Sequence, residues 1–183
     1  LDIGGGAAEA AVISLGGVVA VKSVRVGGNR IDEAIIDWCR RKYNLVIGEQ
    51  TAESVKITIG SAVDLRERQA MVVKGRDSLT GLPREIELGS NDVTAAIARP
   101  IQQIVRAVKD VLEEVPPELA SDIIDKGILM SGGSSQLKNL DRLLTQETGV
   151  PCQLAEEPQL NVVRGTGIAL EHLELYKKAL GRG

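Results

Sequence analysis

The stretch that decides the fold comes first: Leu1-Asp2-Ile3-Gly4-Gly5-Gly6-Ala7-Ala8-Glu9-Ala10-Ala11-Val12-Ile13-Ser14-Leu15-Gly16-Gly17. An apolar run, three glycines and a second apolar run predict a strand, a tight turn and a second strand. Glycines carry no Cβ, so a phosphate could come within hydrogen-bond distance of the backbone N–H groups. Asp2, at the strand end, is well placed to hold a hydrated divalent cation that neutralises the phosphate. The alternative is a glycine-rich hairpin between core strands that binds nothing.

Composition and charge exclude several classes of function. The chain has 183 residues, 43% of them hydrophobic, and a net charge of -3, which gives no general attraction to nucleic acid or anionic lipid. Aromatic residues make up 2%, which argues against base-stacking platforms. A single histidine, His172, leaves little material for a zinc site or a histidine-based triad. We interpret Cys39 and Cys152 as reduced thiols of a cytosolic protein.

The start of the chain and the length of its apolar runs bear on its class. It contains no signal peptide and no apolar run that approaches the roughly 18 residues of a membrane-spanning helix. It starts on a motif rather than on Met, so we expect it to be part of a longer protein, cut at its amino end.

Along the chain, hydrophobic periodicity predicts alternating strands and helices. The first half is predicted to hold a strand at 18–26, a helix from Arg30 to about Asn44 with Asp32 and Glu33 in its first turn, a helix from about Gln50 to Gly60, and strands at 69–75 and 82–88. The second half is predicted to hold a cap cluster at 90–92, a long helix that Pro100 kinks or divides and Pro116-Pro117 ends, a buried strand at 126–131, a helix at 136–148, a strand at 150–154 and a helix from about Asn161 to Leu180.

This order predicts an α/β fold with an insertion. Residues 1–27 and 91–183 are predicted to form one sheet with helices on it. Residues 28–90 are predicted to form a smaller inserted unit of mixed helix and strand.

A second glycine-rich turn, Gly132-Gly133-Ser134-Ser135, lies between a predicted strand and a predicted helix. Ligands commonly bind at the carboxyl end of a strand in an α/β sheet, and this turn offers N–H groups and two hydroxyls. The alternative is a plain connection in which a serine caps the helix. Two such turns in one chain favour a shared nucleotide site, although neither is a Walker A loop or a good G-x-G-x-x-G.

Glu53 and Lys56 lie three residues apart on a predicted helix and share a face. Such a pair could contact a ribose and a base edge. The spacing alone favours the alternative, a solvated surface ion pair.

These motifs resemble a known family. Asp2-Ile3-Gly4-Gly5-Gly6, with Val12-Ile13-Ser14-Leu15-Gly16-Gly17, is similar to the second phosphate motif of the actin and heat-shock-chaperone ATPases, and Ile128 to Ser135 to their adenosine motif. The insertion resembles the MreB family of bacterial actins, over essentially the whole chain and only the carboxyl-terminal half of that fold. The segments that carry this narrower resemblance are Val24–Gly28, Asp32–Ile36, Arg41–Glu49, Thr51–Lys56, Pro116–Ala120 and Arg164–Gly167.

The resemblance implies a binding role for each motif. Gly4, Gly5, Gly6 and Ala7 would meet the phosphates of ATP, and Asp2 would act on Mg²⁺ through water. Glu53 and Lys56 would contact the ribose and adenine. Gly132, Gly133, Ser134 and Ser135 would close over the adenosine. Residues 28–90 would form the outer subdomain, and the remainder an inner RNase H-like subdomain.

The resemblance also implies a cellular role. Members of the family stack head to tail into cytoplasmic filaments that associate with the inner membrane and direct cell-wall synthesis and rod shape. A transmembrane adaptor of the wall-elongation machinery binds the inner subdomain of this half.

One departure bears on catalysis. The family has two threonines where this chain has Ala7 and Ala8, and a threonine hydroxyl there helps to position the attacking water. We expect slow hydrolysis in this chain and assign it no catalytic residue. The other phosphate loop belongs to the other half of the fold, so the 183 residues alone are expected to bind ATP weakly or not at all.

Two alternative functions stay open at this point. One is the ATP-binding lobe of a sugar-kinase-type enzyme of the same superfamily. The other is a non-catalytic interaction module that has lost hydrolysis and works by docking.

Overall fold

The first glycine turn joins two strands, as the sequence predicts. In the computed structural model, which describes residues 1–173 and 176, β1 (Asp2–Ile3) pairs with β2 (Ala8–Ser14), and β2 pairs with β3 (Gly17–Val24), all antiparallel. The β2–β3 hairpin reverses at Leu15 and Gly16, with φ angles of 49° and 74°. Two residues with positive φ suit a tight hairpin because their backbone twist matches that of the strands.

The sheet continues into the carboxyl-terminal part of the chain. β7 (Ile128–Met130) and β8 (Cys152–Leu154) are parallel. The Ile3 N–H donates to the Ser131 carbonyl at 2.8 Å, and the Ser131 N–H donates to the Leu1 carbonyl at 2.8 Å, so β1 lies parallel beside β7. A glycine turn follows each of these two strands, and parallel neighbours end at the same edge of a sheet. The pairing therefore brings the two turns together.

A second sheet lies between these segments in the chain. The helices α1 (Gly28–Tyr43) and α2 (Glu49–Ile59) precede an antiparallel sheet of β4 (Leu45–Val46), β5 (Ala70–Asp77) and β6 (Pro83–Gly89). The strand β4, which has only two residues, was not predicted from the sequence. The assignment of residues 28–90 to a separate outer unit stays a prediction.

The long helix α3 (Ser90–Glu113) is continuous, so the prediction that Pro100 could divide it is wrong. Pro100 itself is buried, and the apolar stripe continues on both sides of it through Ile97 and Ile101. Burial of each such side chain stabilises the helix by about 1.5–3 kcal/mol, enough to offset the hydrogen bond that proline removes. The predicted cap cluster at 90–92 forms the first helical turn, because the helix begins one residue after Gly89.

The carboxyl-terminal elements differ from the prediction in three places. The helix α4 (Pro117–Lys126) was not predicted, and the predicted helix at 136–148 is a short 3-10 helix (Gly133–Gln136) followed by α5 (Leu140–Thr148). Asn139, with a left-handed φ of 59°, separates the last two. The strand predicted to be buried exposes Leu129.

The last helix, α6 (Asn161–Glu171), begins where the sequence predicts. Residues 174, 175 and 177–180 of that predicted helix lie outside the described residues. In the described part of the chain, no helix has both the length and the apolar character needed to cross a bilayer.

Candidate functional site

The first glycine turn is fastened to the start of α1. The Gly28 N–H donates to the Gly4 carbonyl at 3.0 Å, and the Asn29 N–H donates to the Gly5 carbonyl at 2.9 Å. These amides of the helix N-terminus therefore hold the turn instead of facing a ligand. The N–H groups of Gly5 and Gly6 donate no hydrogen bond within residues 1–173, and a Cβ on Gly6 would have no neighbour within 4 Å. The turn is hydrogen-bonded to α1 on one side and open on its outer side.

The second glycine turn closes on the first. The Ser134 hydroxyl donates to the Gly4 carbonyl at 2.9 Å. Gly132 has φ 85° and ψ 156°, a conformation open almost only to glycine, and a Cβ there would overlap the Ile3 carbonyl oxygen. Ser135 is buried, and its hydroxyl donates to the Gly132 carbonyl at 2.6 Å. Backbone packing and hydroxyl hydrogen bonds thus lock the two turns together.

A cavity of about 580 Å³ lies beside the two turns, between them and α1 and α2. Five of the predicted site residues line it: Gly5, Glu53, Lys56, Gly133 and Ser134. Five others flank it within the same turns: Gly4, Gly6, Ala7, Gly132 and Ser135. The volume lies in the range of small-molecule sites, about 300–1,000 Å³.

A partly buried ion pair lies at this cavity. Lys56 Nζ donates to Asp32 Oδ2 at 2.8 Å, and both side chains are 13% exposed. Lys56 therefore pairs with Asp32, not with Glu53. Burial raises the pKa of Asp32 above its usual value, and the Lys56 ammonium opposes that rise. The second oxygen, Asp32 Oδ1, is buried without a hydrogen-bond partner in the described part of the chain, which adds to the cost of burying this carboxylate.

Asp32 and Gly28 are site residues that were not predicted from the sequence. The sequence predicts Asp32 in the first turn of a helix beginning at Arg30, but α1 begins at Gly28, which puts Asp32 in the second turn, where it reaches α2. A Cβ on Gly28 would lie 2.5 Å from Ser134 Oγ and 3.3 Å from Lys56 Nζ. The glycine pair Gly27-Gly28 was the available signal for a close approach.

Asp2, the predicted magnesium residue, lies at the end of β1, half-buried. The Ser131 hydroxyl donates to Asp2 Oδ1 at 2.9 Å. Among the described residues, no group of three or more His, Cys, Asp or Glu side chains could hold a metal ion. A lone carboxylate is compatible with Mg²⁺, which usually keeps several waters and takes further ligands from phosphate oxygens.

The two alanines of the turn differ in environment. Ala7 is exposed, whereas Ala8 begins β2 and is 1% exposed, in the core. Only a side chain at position 7 can act on a guest of the turn.

The chain matches one protein family over nearly its whole length. The family model described as "MreB/Mbl protein" matches residues 1–178. The chain is 51% identical over 176 residues to the cell shape-determining protein MreB of Escherichia coli K12, which covers 96% of this chain and 51% of that protein. It is 42% identical over 181 residues to the cell shape-determining protein Mbl of Bacillus cereus, covering 98% of this chain and 54% of that protein. The chain thus spans about half the length of these curated relatives.

Solved structures agree. MreB5 of Spiroplasma citri bound to AMPPNP superimposes with a TM-score of 0.89 at 35% identity, over 97% of this chain and 54% of that one. MreB5 bound to ADP gives 0.89 at 36% identity, over 100% and 54%. A MamK double helical filament gives 0.71 at 18% identity, over 86% and 49%, a likeness that supports the fold alone.

Proposed function

The chain belongs to the MreB/Mbl family and has an actin-like α/β fold, and from this premise we propose that it forms part of an ATP-binding site. The observation that carries the proposal is the convergence of the two glycine turns on one cavity that Lys56 also lines. The Spiroplasma MreB5 structures, which this chain resembles over nearly its full length, contain AMPPNP and ADP.

Each group at the cavity has a role in this proposal. The open N–H groups of Gly5 and Gly6 would donate to phosphate oxygens, as backbone amides do in other anion-binding turns. Lys56 and Glu53 would contact the ribose and adenine. Gly133 and Ser134 would cover the adenosine, with Gly132 and Ser135 holding that turn in shape. Asp2 would bind Mg²⁺ through water, and the ion would supply charge neutralisation for the phosphates.

We propose that the chain holds nucleotide better than it cleaves it. Ala7 is the exposed alanine of the turn, and its methyl group cannot accept a hydrogen bond from an attacking water. Orientation of that water is the part of catalysis that a hydroxyl at this position would supply.

At the level of the whole protein, we propose a cytoplasmic, filament-forming bacterial actin. Its filaments would form with ATP, associate with the inner membrane and organise cell-wall synthesis through a transmembrane adaptor. Residues 28–90 would form the outer subdomain, and residues 1–27 and 91–183 the inner one.

Calorimetry with ATP and Mg²⁺ on the full-length protein tests the site. Lys56→Met should weaken ATP binding about tenfold or more, since it removes the charged contact that the proposal assigns to the ribose and adenine. Lys74→Met, which removes an exposed lysine of β5 outside the cavity, is the matched control and should bind as the wild type does. Equal ATP affinity for the two variants would contradict the proposed site.

A further inference from the structure

The cavity beside the two turns has one wall on α2 and a second wall on the segment that contains the second glycine turn. Glu53, Lys56 and Ile57 line it from α2, and five of the residues 133–138 line it from the other segment. In the proposed function, the first wall would contact the ribose and adenine, and the second would cover the adenosine. The spacing of the two walls therefore decides whether both can contact the same nucleoside.

Both walls continue into one hydrogen-bonded junction, formed by residues 61–62 after α2 and residues 138–139 after the second turn. The Ala62 N–H donates to the Lys138 carbonyl at 2.9 Å, and Asn139 Nδ2 donates to Ser61 Oγ at 2.9 Å. The Ser61 hydroxyl in turn donates to the Val63 carbonyl at 2.6 Å. Ser61 is 0% exposed, so water does not readily replace a hydrogen bond that is lost there.

Ser61 connects the turn of α2 that carries Lys56 to the long helix α3. The N–H of the preceding residue, Gly60, donates to the Lys56 carbonyl at 3.1 Å, and a Cβ on Gly60 would lie 2.3 Å from that oxygen. The Ser61 carbonyl accepts a hydrogen bond from the hydroxyl of Thr94, on α3, at 3.0 Å. A shift of Ser61 relative to α3 would therefore also move the helical turn of Lys56.

Asn139 and Lys138 reach from the second wall to the end of α2. Asn139 has a left-handed φ of 59° at the N-cap position of α5, and among the described residues its side chain makes no capping hydrogen bond to that helix. An asparagine at this position commonly caps its own helix, whereas Asn139 donates to Ser61. Lys138 Nζ donates to the Thr58 carbonyl at 2.5 Å, in the last turn of α2, where the helix dipole favours a positive charge.

We propose that Ser61 and Asn139 are positioning residues, which set the spacing of the two walls for a nucleoside. The inference rests on the proposed ATP site and deepens it. Within the part of the chain that the structure describes, neither side chain lines the cavity, so each acts through the residues that do. A preset spacing lowers the conformational cost of binding, because the walls are already ordered when the ligand arrives.

Ser61→Ala and Asn139→Gly break the same hydrogen bond from its two sides and test the inference in the full-length protein. Glycine at position 139 keeps the left-handed backbone without strain. In calorimetry with ATP and Mg²⁺, each variant should bind ATP about fivefold more weakly or worse, since the walls are no longer held at a fixed spacing. The double variant should bind about as weakly as the weaker single variant, because both changes remove one contact.

Thr148→Val is the matched control for loss of a hydroxyl. Thr148 Oγ1 donates to the Leu144 carbonyl at 2.7 Å and accepts the Val150 N–H at 3.1 Å, so this hydroxyl, like that of Ser61, has one partner of each kind. It lies at the opposite end of α5 from the junction. The Thr148→Val variant should therefore bind ATP as the wild type does.

A double-mutant cycle with Lys56 separates positioning from a general loss of stability. If the junction acts through Lys56, the fold-losses in ATP affinity of Ser61→Ala and Lys56→Met should combine to clearly less than their product. Losses that multiply would overturn the inference, because they would show that the two sites act independently.

The outcomes distinguish this inference from the function on which it rests. If Lys56→Met binds ATP as the wild type does, the proposed ATP site is wrong. If Lys56→Met loses affinity, and either Ser61→Ala or Asn139→Gly binds as the wild type does, only the positioning role is wrong. Equal losses for Thr148→Val and Ser61→Ala also overturn that role, because they assign the effect to stability.

Discussion

The two glycine turns share a composition and differ in what holds them. In the turn at residues 4–6, the carbonyl groups accept hydrogen bonds from α1 and from Ser134, and the N–H groups of Gly5 and Gly6 donate none within the described residues. The turn at residues 132–135 is packed against Ile3, with Gly132 in a conformation open almost only to glycine. Glycine therefore leaves the backbone of the first turn accessible and permits close packing in the second. In the proposed function, the same residue type would carry binding in one place and folding in the other.

Alanine substitution in the two turns should separate these roles and give the largest effect. Gly132→Ala should lower the free energy of unfolding by about 3 kcal/mol or more, because a Cβ there is strained and overlaps the Ile3 carbonyl. Gly6→Ala, the matched variant, should leave the free energy of unfolding within about 0.5 kcal/mol of the wild type and weaken ATP binding instead. Urea denaturation and calorimetry measure the two quantities. A stable Gly132→Ala variant that loses ATP would reverse the assignment.

The contrast between the turns also marks what the sequence can predict. Runs of glycine after apolar strands predict both turns. Because ligands commonly bind at the carboxyl ends of strands in an α/β sheet, the sequence also predicts that the two turns meet. The open or packed state of each turn depends on partners far away in the chain. Asp32 and Lys56 illustrate the same limit, because they lie 24 residues apart on different helices and no local pattern pairs them. Pro100 shows the converse, where burial of neighbouring side chains overrides a strong local signal.

Substitutions in the ion pair between Asp32 and Lys56 test whether the stability of the fold depends on pairing these two charges. Lys56→Met should cost about 2–3 kcal/mol of stability, because it leaves the Asp32 carboxylate partly buried without a partner. The double variant Asp32→Leu, Lys56→Met should recover most of that loss. As a control, Glu33→Gln breaks the exposed pair with Arg30 and should cost less than about 1 kcal/mol.

The pH dependence of the Lys56→Met variant has a definite sign. Burial holds the pKa of Asp32 above its usual value, and loss of the ammonium removes the group that opposes the rise. The folded state then binds more protons than the unfolded state, so stability falls as pH rises through the raised pKa. The cost of the substitution should therefore be smaller near pH 4 than at pH 7. A cost that is independent of pH would contradict an unpaired carboxylate as its cause.

The two alanines repeat the contrast between access and packing within one turn. Ala7→Thr places a hydroxyl on the exposed side and should raise kcat for ATP hydrolysis about tenfold by orienting water. Ala8→Thr places it in the core and should leave kcat unchanged while costing about 1–2 kcal/mol of stability. Steady-state phosphate release and thermal unfolding measure the pair. Equal kcat values for the wild type and the Ala7→Thr, Ala8→Thr double variant would show that neither hydroxyl matters.

The loop of residues 78–82, between β5 and β6, is a third kind of turn, held by a carboxylate, and should show the smallest effect. Hydrogen bonds from the Thr80 and Leu79 amides and from Arg84 lower the pKa of Asp77 to about 2. Because the folded pKa lies below the usual value, the contribution of Asp77 to stability is complete above about pH 4 and falls as pH drops toward 2. The amide chemical shifts of residues 79 and 80 should follow this titration in nuclear magnetic resonance spectra. Asp77→Asn should abolish the titration at residues 79 and 80, and a titration that persists there would assign it to another group.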